Sequence, residues 1–193
     1  VYMEQVIGAQ AGRHAINIQE LNRVSAWIRE QMRLFGVPCQ YQNYTANSLP
    51  YRNVVCSLNA GKKQKVIVGA HYDVLEDTTG ADDNASGVAG VIEVARILAT
   101  EKTSLKHNVD FVFYTLAEPP YFATENMGSF IHAKSVAKQK QNIAGVYILE
   151  MIGYFDPNLV QQYPAGLKWI YPSHGNFVAA VGNLQSRELT ADY

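Results

Sequence analysis

The 193-residue chain has only two cysteines, Cys39 and Cys56, which excludes a disulfide-dense scaffold and a four-cysteine zinc site. It lacks a charge excess of either sign: 16 Lys and Arg stand against 17 Asp and Glu, a formal net charge of −1. Nucleic-acid-binding surfaces carry a basic excess or patch. The densest positive stretch here, residues 134–140, has three lysines and reads as a solvated helix end. No nucleic acid is expected as a partner. No apolar run approaches the about 20 residues a bilayer-crossing helix needs, so no membrane span is expected. Ser86 lacks a Gly-x-Ser-x-Gly elbow around it, which sets aside a serine hydrolase. No Gly-Lys-Ser/Thr follows the Gly80–Gly90 stretch, which sets aside a phosphate-binding loop. The opening Val1-Tyr2-Met3-Glu4-Gln5 is neither a signal peptide nor an initiator start.

What is present is ordinary globular material, 48% hydrophobic and 17% charged, with no repeat or linker to divide residues 1–193. Ile18, Leu21, Val24, Ile28, Met32 and Phe35 recur at helical spacing. Asn17 and Glu20 resemble a capping box, and Gly36 ends the pattern. Val37–Tyr44 and Arg52–Leu58 read as a β-hairpin with a longish turn containing Asn47 and Pro50. Val66–Ala70, Val109–Leu116, Ala144–Leu149 and Phe177–Val181 are short continuous apolar runs, the mark of strands buried on both faces. Helices are expected over Ser86–Thr100 and Asn126–Gln139. Alternating buried strands and helices predict an α/β sandwich around a largely parallel sheet.

Groups able to bind metal or move protons fall at the ends of these strands. His71 and Asp73 follow the first run, Glu118 the second and Glu150 the third. Open α/β sheets bind ligands beyond the carboxyl ends of their strands. Asp83 lies in a Gly-flanked loop just before the helix expected from Ser86, where a helix N-terminus favours negative charge. One histidine among several carboxylates suits zinc, manganese or cobalt, and Asp73 can fix the His71 tautomer. His14, His107 and His132 read as solvated residues. Met151, Ile152, Tyr154 and Phe155 wall an apolar pocket or pack a core.

Gly69–Asp73, Gly80–Gly87, Glu118–Phe122, Thr124–Ser129 and Leu149–Tyr154 together resemble the M28 family of di-zinc aminopeptidases. The resemblance runs from about Asn17 to about Asn183. It implies a three-layer zinc-exopeptidase-like sandwich with a mixed, mostly parallel sheet, and a substrate that is a peptide N-terminus. It implies that His71 and Glu150 hold one zinc, Glu118 the other, and Asp83 bridges them, with Asp73 orienting His71. Two departures stand out. The general-base Glu of the family is replaced by Ala117, and general-base assistance is worth about 10² to 10⁴ in rate. The chain also stops where the family continues to a last His ligand, so it looks like about two thirds of the domain, with one metal site complete and an uncovered sheet available for self-association. His174 does not convincingly replace that ligand. An impaired aminopeptidase is the leading expectation. The alternatives are a non-catalytic binding protein on a peptidase scaffold and a glutaminyl-cyclase-like enzyme of the same fold.

The cysteines leave two readings. Cys39 and Cys56 lie symmetrically about a hairpin centre between Asn47 and Ser48, which makes them cross-strand partners near disulfide range. A one-residue register slip would separate them as two buried thiols in a reducing compartment. The family resemblance favours a secreted or periplasmic protein.

Overall fold

The computed structural model describes residues 1–8, 12–163 and 166–191, in two compact units, Val1–Met151 and Ile152–Tyr193. In the first unit a short helix α1 (Tyr2–Ile7) precedes the long helix α2 (Ile18–Leu34). The Asn17 side chain caps α2 by accepting the Glu20 N–H at 3.3 Å. Leu21, Val24, Ile28 and Met32 form its buried stripe. It ends where Gly36 turns left-handed at φ 73° and Val37 N–H returns to Met32 O at 3.0 Å.

Strands β1 (Cys39–Ala46) and β2 (Leu49–Leu58) form the hairpin. The turn is tighter than the sequence suggested. Asn47 and Ser48 both take positive φ, 48° and 65°, so a two-residue turn matches the strand twist and Ala46 pairs directly with Leu49. Pro50 lies in β2 outside the stretch that pairs with β4, where its missing N–H costs no bond to that strand.

Strand β3 (Lys65–His71), helix α3 (Gly87–Thr100), strand β4 (Asn108–Tyr114), helix α4 (Gly128–Lys138) and strand β5 (Ile143–Ile148) complete the unit. The sheet order is β1-β2-β4-β3-β5. The β1–β2 and β2–β4 pairs are antiparallel, whereas β4–β3 and β3–β5 are parallel. Alternation along the strands divides the core. Val54, Cys56, Val68, Phe111 and Phe113 pack with the stripes of α2 and α3. Val55, Ile67, Val112 and Tyr114 face the other way, toward Val136 of α4. Helices therefore cover both faces, giving three layers. Each fully buried Val, Ile or Phe contributes roughly 1.5–3 kcal/mol.

Cys39 and Cys56 are register partners and form a disulfide, with Cα atoms 3.9 Å apart. No helix among the described residues is long and apolar enough to cross a membrane.

The second unit pairs β6 (Asp156–Val160) antiparallel with β7 (His174–Gly175) and carries the short helix α5 (Arg187–Ala191). The expected buried strand at Phe177–Val181 does not form. Those residues join no ladder, and Val178 and Val181 are 73% and 92% exposed. An apolar run becomes a strand only where a partner strand and a covering layer receive it.

Candidate metal centre

The parallel pairing of β3 with β4 and β5 brings three carboxyl ends to one edge of the sheet. His71 is in register with Tyr114, and Gly69 with Ile148. His71 ends β3, while Glu118 and Glu150 follow β4 and β5 within a few residues. Left-handed non-glycine residues flank both ligand positions, Leu116 at φ 58° before Glu118 and Met151 at φ 49° just after Glu150. Such positions cost about 1–3 kcal/mol each and cluster at functional sites.

Asp83 arrives from the wide turn Ala81–Ser86 in front of α3, where Asp83 and Asn84 leave the helical region and the peptide bond between them is cis. His71 Nε2 lies 3.0 Å from Asp83 Oδ1 and 3.2 Å from Glu150 Oε1. Donor atoms of His71, Asp83 and Glu118 all fall within 4.8 Å of one another. Four of the residues singled out in the sequence are thus together.

Asp73 is buried and connects two of the segments that carry candidate ligands. Its Oδ1 lies 3.4 Å from His71 Nδ1, and its carboxylate accepts the backbone N–H groups of Ala117 and Glu118 at 3.1 and 3.2 Å. The ring nitrogen also faces Asp73 O at 3.2 Å. Ala117 presents a methyl group to the site, and its backbone makes the contact.

Asn84 had no assigned role in the sequence. It is fully buried, donates to Leu149 O at 2.9 Å and to Glu150 Oε2 at 3.0 Å, and accepts from the N–H groups of Gly87 and Met151. It therefore holds the Glu150 carboxylate against the Asp83 turn. Asp82, the other aspartate of the pair, receives the Ser86 hydroxyl on its backbone oxygen at 2.7 Å.

The electrostatics are those of a crowded anionic pocket. Burial disfavours charge on His71, but its hydrogen bonds to Asp73 and Glu150 outweigh that and push its pKa up to about 10. Burial raises the Glu118 carboxyl above the usual range, and the charge of Asp83 raises it further. Asp83 Oδ1 is buried and makes no aligned hydrogen bond among the described residues, its near neighbour being His71 Nε2 at 3.0 Å. A buried anionic oxygen held by one ion-pair contact is incompletely compensated. Together with an imidazole and two further carboxylates, it fits a divalent cation.

Beside the cluster is a cavity of about 340 Å³ lined by His71, Asp83, Glu118 and Glu150 and by the apolar walls Tyr114, Phe122, Met127 and Ile148. Met151, expected in such a wall, is 55% exposed and does not line it. Ile152 and Tyr154 belong to the second unit, as does His174, which contacts Ser173 Oγ at 2.8 Å. His132, expected to be solvated, is buried in α4 with Nδ1 3.4 Å from the Tyr114 hydroxyl. Burial lowers its pKa.

A three-layer α/β fold with a His-carboxylate cluster at the carboxyl edge defines the zinc-exopeptidase-like class. The model of Peptidase family M28 matches residues 53–190, and the chain belongs to that family. It is 39% identical over 184 residues to the uncharacterized protein YfbL of Escherichia coli, covering 90% of this chain and 55% of YfbL. The Legionella pneumophila LapA aminopeptidase superposes with TM-score 0.67 at 20% identity, over 82% of this chain and 44% of LapA. The Porphyromonas gingivalis glutaminyl cyclase superposes equally well, TM-score 0.67 at 25% identity, over 84% of this chain and 61% of that one. The chain thus spans about half the length of YfbL and of LapA, and the backbone likeness does not separate aminopeptidase from cyclase.

Proposed function

We propose that the chain carries the metal-binding core of an exported zinc aminopeptidase-type hydrolase whose activity is suppressed by Ala117. The observation that carries this reading is the juxtaposition of His71, Asp83, Glu118 and Glu150 with an apolar cavity at the carboxyl edge of the sheet. His71, Asp83 and Glu150 would hold one zinc, and Asp83 with Glu118 the weaker second. When bound, zinc supplies Lewis-acid polarisation of a carbonyl and lowers the pKa of water.

The chain's own residues have the following parts. Asp73 orients the His71 ring and Asn84 orients Glu150. With only the tighter zinc bound, the carboxylates of Asp83, Glu118 and Glu150 exceed its charge by one, which favours the ammonium group of a peptide N-terminus. Tyr114, Phe122, Met127 and Ile148 offer apolar surface to its first side chain. Position 117 adjoins Glu118, where a carboxylate would take the proton of an attacking water; a methyl group has no such capacity. The disulfide supports export to an oxidising compartment.

The missing base also favours a second reading, a non-catalytic peptide-binding protein on this scaffold. Hydrolysis of aminoacyl p-nitroanilides by the longest natural form of the protein and by its Ala117→Glu variant tests the two. The variant should gain about 10² or more in kcat/KM. Equal turnover removes the general-base argument, and a zinc-loaded variant that stays inert supports the binding protein.

A further inference from the structure

Arg13 sits between α1 and α2, far in sequence from any ligand, yet its side chain is fully buried. All three guanidinium nitrogens donate to backbone carbonyls of the site: Nε to Tyr72 O at 2.7 Å, Nη1 to Thr79 O at 3.1 Å and Nη2 to Gly80 O at 2.7 Å. Tyr72 separates His71 from Asp73. Thr79 and Gly80 lead directly into the Ala81–Ser86 turn that carries Asp83. One planar group with donors in a fixed fork therefore joins the two backbone segments whose side chains meet at His71 Nε2. The fit leaves no slack. Gly80 is left-handed at φ 58°, and a Cβ there would stand 2.6 Å from Arg13 Nη2.

A buried cation is costly without compensation, and none of these three acceptors is a charged group. Asp73 and Asp83 provide the opposing field, while burial still pulls the arginine down to a pKa of about 10. A hydrophobic residue of similar length would leave the carbonyls of Tyr72, Thr79 and Gly80 without these donors, so the guanidinium has a role in geometry.

We propose that Arg13 is a positioning residue for the metal centre: by clamping the carbonyls of Tyr72, Thr79 and Gly80 it fixes the separation of His71 from Asp83 and so sets metal affinity. This rests on the reading of His71 and Asp83 as metal ligands. The sign of the effect separates it from simpler roles. A nearby fixed positive charge repels a dication, so an arginine acting through charge alone would weaken metal binding, and its removal would tighten it. An arginine serving only the core would change stability and leave the affinity of the folded protein unchanged. A clamp requires that removal weaken binding, and loss of an outer-shell partner costs about 10–100-fold in metal affinity.

The test is titration of the metal-free protein with Co²⁺, following the ligand-field spectrum and affinity, on protein shown to be folded by near-UV circular dichroism. Arg13→Met keeps length and stem but no donors; it should bind Co²⁺ about 10–100-fold more weakly, with an altered spectrum. Arg13→Lys keeps the charge but not the fork; it should remain weakened, and it carries the test if Arg13→Met does not fold. Unchanged or tighter Co²⁺ binding by folded Arg13→Met, or full recovery in Arg13→Lys, overturns the proposal. Failure of the unmodified protein to bind Co²⁺ at all would instead sink the metal-site reading, and the proposal with it.

Discussion

His71 changes its charge state within an accessible pH range. In the metal-free protein its pKa rises from 6.5 to about 10, because hydrogen bonds to Asp73 and Glu150 outweigh the burial that opposes charging. A group raised on folding stabilises the native state fully below its unfolded pKa, and that contribution disappears as pH passes the folded value. The metal-free protein should therefore lose stability between pH 6.5 and about 10, seen as a falling urea midpoint that is flattened in His71→Asn. Metal ligation needs the neutral imidazole, so zinc affinity should climb over the same interval. A metal-free midpoint that stays level contradicts the assigned protonation. The candidate ligands were legible as single acidic or imidazole residues placed just beyond expected strands. Arg13 and Asn84 were not, because a side chain that bonds to distant carbonyls leaves no spacing or periodicity behind. His132 was misread for a related reason: its burial depends on the sheet face that α4 covers, which its helical neighbours do not reveal.

The hairpin β1–β2 shows how far an element can be read from pattern. Symmetry about Asn47 and Ser48 placed Cys39 opposite Cys56, and the register agrees over the whole ladder. The turn length was misjudged, since two adjacent positive φ values carry no signal as strong as Asn-Gly. The bridge spans a sequence separation of 17, a loop whose closure is worth about 3 kcal/mol. Denatured, unreduced protein should show no titratable thiol, and reduction should lower the urea midpoint. Two free thiols per chain would remove the bridge and with it the support for export. Strands β3 and β4 were legible because both their faces are buried, which needs only an unbroken apolar run; β5 carries such a run on a half-exposed edge. The run at Phe177–Val181 has the same composition and no ladder, so the apolar run identified candidates and the pairing chose among them.

At the scale of the whole molecule, the sheet of the first unit ends on β5, which among the described residues pairs on one side only. Val146 and Ile148 on that edge are 50% and 49% exposed, and with Ile67, Phe130 and Val136 they line an apolar hollow of about 700 Å³. Unpaired edges and apolar patches invite association. The isolated chain should form concentration-dependent oligomers in sedimentation and light scattering; a monodisperse monomer across a wide concentration range would contradict this. The connection between β4 and Glu118 has a different consequence. Asp73 grips it by the backbone N–H groups of residues 117 and 118, so this contact does not depend on which side chain position 117 bears. Glutamate and alanine codons can differ by a single base. On the reading of position 117 as that of the general base, a lineage could lose or regain hydrolysis in one mutational step without passing through an unfolded ancestor, and natural descendants of either kind would inherit the same scaffold.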